Sequence, residues 1–215
     1  VVGHAVGDEP GDAAPPANLE QSRGGGAGTC VTEGSGGASN VATVGSSAAG
    51  ATAFTITGWM HLEEVTPTGG DLACFGEDGR AFVGVNDAGV LAAYVFSPLI
   101  GQVVEITLDG FSLAGTNNLW TFVALVVDTT AAGTSVRVLV GTYGGVLVTP
   151  GATFAFDYET PGCPLSVGGS KNASGDCSNP GAAIDSTCRG AFDDIRYFDR
   201  ALVTAEVALL FVEQQ

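Results

Sequence analysis

The stretch "GAFDDIRYFDRALVTAEVALL", Gly190 to Leu210, decides how the rest of the chain is read. Its first half reads as a β-strand, on which successive side chains face opposite ways. Its second half changes period. Val207, Leu210 and Phe211 fall on one face of a helix expected over 204–212. Thr204 is placed to N-cap that helix, and Glu206 sits in its first turn, where the helix dipole favours negative charge. The stretch also holds two adjacent aspartates and an arginine. Alternation puts Asp193 on the face of Ile195 and Tyr197, pointing inward, and Asp194 with Arg196 on the opposite face. The two carboxyls thus face opposite ways and cannot act as a catalytic pair. Asp194 and Arg196 are expected to form a charge pair, and Arg200 to reach Glu206 or the last helix turns.

Upstream of this stretch the strand signals are regular. "AFTITGWMHL" alternates Phe54, Ile56, Gly58 and Met60 against Thr55, Thr57, Trp59 and His61. "DLACFGE" and "AFVGVND" flank a glycine turn and predict a hairpin. "LWTFVALVVD" is apolar throughout, which predicts a strand buried on both faces. "SVRVLVGTYGGVLV" reads as two strands around a Gly-Gly turn, and "PLSVGG" as one more. Close to a dozen short strands at regular spacing argue for an all-β, two-sheet antiparallel sandwich or jelly roll with one short C-terminal helix.

Composition agrees. The chain has 215 residues and no internal repeat, so a single domain over 1–215 is expected, with a loop-rich first-strand region over 1–40 and the main sandwich over 41–215. No run of about 18 apolar residues exists, which argues against a membrane-spanning helix. The net charge of −16, with Lys171 the sole lysine, repels nucleic acid and anionic membranes. Five cysteines contain no C-x-x-C pair, so a zinc or thioredoxin motif is not expected. Cys177 and Cys188 flank a loop of Gly, Asn, Pro and Ser, where a disulfide would staple otherwise loose backbone. Cys74, within "LACFG", reads as a small buried apolar residue. A disulfide implies an oxidising, extracellular compartment, and the odd count leaves one thiol unpaired or shared between chains. Residue 1 is valine with no basic-then-apolar leader, so a processed, secreted chain or a piece cut from a longer one is expected.

Four pieces in order resemble a known family: "FTITGWMHL", "LWTFVALVVD", "PLSVGG" and "GAFDDIRYFDRALVTAEVALL". Trp59, Trp120, Asp128, Gly168, Gly169, Asp193, Asp194, Arg196, Arg200, Ala201, Leu202 and Glu206 match, in order, the landmarks of laminin-G-like domains of the concanavalin A-like lectin/glucanase superfamily. The opening "VVGHAVGDEPGD" is similar to that family's first strand through Asp8 and Glu9, although His4 and Gly7 stand where aromatics are usual. The resemblance implies two curved antiparallel sheets packed face to face. It also implies a secreted binding or adhesion module for glycan or protein, often with a bound calcium.

Retaining glycoside hydrolysis needs two carboxyls about 5–5.5 Å apart. Here Glu63-Glu64, Glu77-Asp78 and Asp193-Asp194 are adjacent, and no Glu-x-Asp-x-x-Glu pattern occurs, so no catalytic residue is named and the chain is read as not an enzyme. For calcium, which takes six to eight oxygens, Asp193 and Asp8 are the candidate ligands. Hydrogen bonds from loop amides to an inward Asp193 are the alternative. For a ligand, the candidate aromatics are Trp59, which is open to either face, and Tyr94. The first functional reading is a binding or adhesion module whose partner is a glycan or an extracellular protein. The rival is a structural subunit that self-associates into a filament, surface layer or viral surface. A third reading is a divergent glucanase.

Overall fold

The structure, a computed structural model, describes residues 42–46, 52–62, 72–77, 81–97, 102–112, 119–130, 133–142, 151–154, 164–170, 186–188 and 190–213. They form β1 (Ala42–Ser46), β2 (Ala53–Leu62), β3 (Leu72–Glu77), β4 (Ala81–Val85), β5 (Val90–Ser97), β6 (Gln102–Ser112), β7 (Thr121–Thr130), β8 (Gly133–Thr142), β9 (Gly151–Phe154), β10 (Pro164–Val167), β11 (Gly169–Ser170), β12 (Ser186–Thr187), β13 (Gly190–Phe198) and α1 (Thr204–Glu213). One sheet has six strands in the order β1-β10-β3-β4-β5-β6, and the other has five in the order β13-β2-β7-β8-β9. The short pair β11-β12 stands beside them. Both large sheets are antiparallel throughout, as the alternating sequence pattern predicts. The expected first strand around Asp8 lies outside the described residues.

Two apolar layers hold this arrangement. Between the sheets, Phe54, Ile56 and Met60 of β2 and Val123, Leu125 and Val127 of β7 meet Phe75, Val83 and Ala93 of the six-stranded sheet. The alternate residues of the same two strands, Trp59, Phe122, Ala124 and Val126, face the other way and pack against Leu202, Val207 and Phe211 at and along α1. β7 is central in its sheet and covered on both sides, which is why its sequence is apolar without interruption. The helix approaches closely because residue 141 is glycine: a Cβ there would meet the Phe211 ring at 2.7 Å.

The turn into the helix is fixed by polar contacts. The Thr55 hydroxyl donates to the Arg200 carbonyl and accepts from the Leu202 N–H, both at 2.9 Å. Arg137 Nη2 donates to the Leu202 carbonyl at 2.8 Å, and Arg137 Nη1 to Thr204 Oγ1 at 3.2 Å. Thr204 therefore does not cap the helix. Val203 takes the N-cap position: its carbonyl accepts from Glu206 N–H at 2.9 Å and Val207 N–H at 3.2 Å. Glu206 Oε2 accepts from Val203 N–H at 2.9 Å, which is the reciprocal half of a capping box. The expected Arg200–Glu206 contact forms as a two-point clasp, at 2.9 and 2.7 Å. It holds the Glu206 carboxyl down at about 2, chiefly through the Arg200 hydrogen bond and then that of Val203.

The cysteine pairing differs from the expected one. Cys188 is bonded to Cys74, 114 residues away, and not to Cys177, which lies outside the described residues. Cys74 is thus a bridge partner as well as a buried residue. The bridge joins β3 of one sheet to the segment that leads into β13 of the other. Gly168 stitches the same place: its N–H donates to the Cys74 carbonyl at 2.6 Å, and its carbonyl accepts from Cys188 N–H at 3.0 Å. Spacing along the chain favoured the short loop; the stacking of the sheets sets Cys74 against Cys188 across a separation of 114 residues.

Candidate functional site

On β13 the strand alternation is broken. Asp193 pairs with Trp59 and Arg196 with Thr57, so Asp194 and Ile195 together stand opposite Gly58. This is a β-bulge, and Asp194 takes φ 47° within it, a conformation that aspartate tolerates better than most residues. One extra residue reverses the faces that follow. Ile195 and Tyr197 pack against the inter-sheet core, where Ile195 fills the space a Cβ on Gly58 would need. Asp193 is buried, at 4% exposure, as its sequence position suggested. However, it shares the face of Trp59, on the helix side, and not that of Ile195 and Tyr197. Its Oδ1 accepts a hydrogen bond from the N–H of Asp194, its neighbour on the same strand, at 2.8 Å.

Asp194 forms the expected pair with Arg196. Oδ1 accepts from Nε and Oδ2 stands against Nη2, each at 2.7 Å, in a two-point geometry. Burial pushes the Asp194 carboxyl up from its ordinary value, against the lowering effect of Arg196. Among the described residues, no three His, Cys, Asp or Glu side chains converge as a metal site. Asp8 lies outside those residues.

The two aromatics named as ligand contacts are both buried. Trp59 is 1% exposed, stacked on Phe211 at 5.7 Å and edge-on to Phe122 at 5.5 Å. Its face of the sheet is the one the helix covers, so it serves the second apolar layer. Tyr94 is 3% exposed and stacks on Phe82, with ring centroids 4.8 Å apart and planes 18° from parallel. Phe82, the half-buried member of the stack, is the ring nearer to solvent.

Tyr94 nevertheless leads to a place where ligand-type groups gather. Ser166, Gly76, Phe82, Tyr94 and Glu105 stand in one cross-strand row over β10, β3, β4, β5 and β6. The neighbouring row of Val167, Phe75, Val83, Ala93 and Ile106 faces the core, so this row lies on the outer face of the six-stranded sheet. Gly76 is required there, since a Cβ would collide with the backbone of Ala81 and Phe82. Beside the aromatic stack, Glu105 Oε1 accepts from Asn86 Nδ2 at 3.0 Å and from Thr107 Oγ1 at 3.2 Å. The Asn86 amide is itself anchored: its Oδ1 accepts from the Ala88 and Val90 N–H groups at 3.1 and 3.0 Å. Glu105, Thr107 and Asp87 are exposed, while Ser166 Oγ is buried without a hydrogen-bond partner. The result is an aromatic stack with an amide, a hydroxyl and a carboxylate held at its edge.

Phe82, Glu105 and Thr107 were not singled out from the sequence. The signal for Phe82 lies in the hairpin. Each β4 residue pairs with its mirror image about Ala88, which sets Phe82 directly opposite Tyr94. Glu105 and Thr107 carry no comparable local mark, because the register of β6 is shifted by an irregularity between Val90 and Ala92.

Comparison with known proteins gives three kinds of result. A laminin-G family model, described as the concanavalin A-like lectin/glucanases superfamily, matches residues 35–208. No curated protein sequence matches the chain. Among solved structures, the binding domain of botulinum neurotoxin DC in complex with SialylT is similar, with a TM-score of 0.55 and 12% identity over 81% of this chain and 39% of that one. The CBM40 module of the Ruminococcus gnavus IT-sialidase bound to α2,3-sialyllactose gives 0.53 and 10% over 79% of this chain and 95% of the module. A putative carbohydrate binding protein from Bacteroides ovatus ATCC 8483 gives 0.50 and 14% over 78% of this chain and 43% of that one. At these identities the likeness is one of fold.

Proposed function

We propose that this chain, which belongs to the concanavalin A-like lectin/glucanase superfamily, is a non-catalytic glycan-binding module that works through the outer face of its six-stranded sheet. The observation that carries this reading is the Phe82–Tyr94 stack flanked by the Asn86–Glu105–Thr107 group. A sugar ring presents an apolar C–H face and a rim of hydroxyls. The half-buried Phe82 ring, backed by the buried Tyr94 and set beside a few fixed polar groups, fits the apolar part of that pattern. The amide is oriented in advance by the turn, so little rotamer entropy is lost when a hydroxyl binds. The fold neighbours named as binding sialylated sugar or as carbohydrate-binding lend support from outside the chain.

Several features favour binding over hydrolysis. Asp194 is engaged by Arg196, and Asp193 accepts the Asp194 amide. Glu105 is tied to Asn86 and Thr107. The disulfide between Cys74 and Cys188 favours an extracellular setting. The test is a glycan array followed by calorimetric titration, with Phe82→Ala and Asn86→Ala as variants. Binding by the parent chain that falls at least tenfold in each variant, with thermal stability kept, is the expected result. An array with no binding sugar overturns the reading. Titrations with added calcium and with a chelator decide whether the ion contributes.

A further inference from the structure

We infer that the outward face of α1 is a self-association surface, on which α1 of a second copy of this chain packs antiparallel. The inference does not depend on the glycan-binding reading and concerns the opposite side of the molecule.

The helix has more apolar surface than its own fold uses. Of its ten residues only Thr204, Glu206 and Glu213 are polar. Val207 and Phe211 are buried against the five-stranded sheet, with Leu210 partly buried beside them. Ala205, Ala208, Leu209 and Val212 stand on the other side, at i, i+3, i+4 and i+7, the spacing of one helix that meets another. Leu209 is 63% and Val212 66% exposed, so this second stripe is bare. Single exposed apolar residues are ordinary. Here they cluster: among the described residues four large apolar side chains are exposed, and Val203, Leu209 and Val212 lie on α1 or at its N-cap. A helix that is apolar all round is normally covered on both sides. Ala205 and Ala208 are small enough to let a second helix axis come within about 8–10 Å.

The order of sizes along the stripe selects the occupant. It runs small, small, large, large: Ala205, Ala208, Leu209, Val212. Under a two-fold axis between residues 208 and 209, Ala205 meets Val212 of the other copy and Ala208 meets its Leu209. Each small residue then faces a large one, so the two surfaces interdigitate. Glu213, which sits at the negative end of its own helix, comes opposite Thr204 at the start of the other, where the dipole has the favourable sign. A parallel pair would set alanine on alanine and leave gaps. It would also bring both Glu213 side chains and both negative helix ends together. The net charge of −16 opposes association, but at physiological salt screening over about 8 Å limits that term to charges near the contact. Four side chains on a helix about 15 Å long cover far less than the about 800 Å² per partner of a stable interface, so the association is weak and reversible. Because α1 lies on the five-stranded sheet, the outer faces of the two six-stranded sheets point away from each other in such a pair.

The experiment is sedimentation of the full chain at physiological salt, from about 10 µM to about 1 mM, which brackets a weak dimer. A reversible monomer–dimer equilibrium is expected. Leu209→Asp is expected to weaken it about tenfold or more, because a carboxylate would be buried against the partner helix. Leu209 is largely exposed in the single chain, so the melting temperature of the dilute variant should match the parent's. Direction is read from a mixture. Ala205→Lys and Val212→Glu should each weaken self-association alone, and mixing the two variants should restore it, since positions 205 and 212 face each other only in the antiparallel pair. Monomer throughout, or adsorption of this stripe to neutral phosphatidylcholine vesicles with no dimer formed, overturns the inference. A dimer unmoved by Leu209→Asp in a folded variant also overturns it. Mixing without recovery overturns the antiparallel arrangement. None of these results bears on glycan binding, which the array tests separately.

Discussion

Removing the Cys74–Cys188 bridge is the most direct test of how the two sheets are tied together. The double variant Cys74→Ala, Cys188→Ala deletes the cross-link and leaves two small apolar side chains at positions 0% and 7% exposed. In the chain-entropy account a disulfide acts on the unfolded state by closing a loop. For a sequence separation of 114 the cost of closure comes to about 5 kcal/mol at 25 °C. Domains of this size shift their midpoint by about 2–4 °C for each kcal/mol, so the midpoint is expected to fall by about 10–20 °C. A loss of that size approaches the whole stability of a marginal domain, which is about 5–15 kcal/mol. A bridge across the short Cys177–Cys188 loop would close far less chain and give a smaller effect. Differential scanning calorimetry of the oxidised parent and the double variant measures the shift. Peptide mapping without reductant reads the linkage directly. A fall of less than about 4 °C, or a peptide joining Cys188 to Cys177, refutes the reasoning.

Three further outcomes follow from the region around β13 and the helix. Thr55→Val removes a hydroxyl that both donates and accepts, stranding the Arg200 carbonyl and the buried Leu202 N–H. It is expected to cost about 1–3 kcal/mol in urea unfolding; an effect below about 0.5 kcal/mol would count against the stitch. At the bulge, Asp194→Ala places a Cβ-bearing residue without a compensating side chain at φ 47°, which costs about 1–2 kcal/mol, whereas Asp194→Gly is expected to be milder. Equal stabilities of the two variants would argue against the bulge. Glu206 is held down to about 2 from an ordinary 4.5, so its contribution is present above about pH 4.5 and is lost as pH falls through about 2. Glu206→Gln should therefore be less stable than the parent at neutral pH, with the gap closing by pH 2; a pH-independent gap in urea midpoints would contradict this.

Much of the fold was legible because its decisive signals are local. The alternation in "AFTITGWMHL" and the unbroken apolar run in "LWTFVALVVD" state which faces are buried, and the structure fills both. Arg200 and Glu206 lie six residues apart around a helix start, so their contact is a near-neighbour matter. What failed were statements that depend on register or on stacking. Alternation assigned Asp193 to the core face, and a single inserted residue at Asp194 moved it to the helix face while leaving it buried. The cysteine partner depends on how one sheet lies on the other, which no local pattern encodes.

The candidate site was harder to read for a related reason. The tryptophans drew attention as the largest aromatics, yet β7 is apolar on both faces, and the outer face around Trp59 and Phe122 is already occupied by α1. Any aromatic on that face, Trp59 included, is committed to packing. The six-stranded sheet carries no helix among the described residues. Its outer row mixes Phe82 and Tyr94 with glycine, serine and glutamate, a composition poorly suited to a third apolar layer. A strand apolar on both faces is committed to packing, whereas the proposed binding face sets aromatics among small and polar residues. By that contrast Trp59 belongs to the packing, and the Phe82 hairpin, where the polar groups are also held in place, carries the proposed binding face.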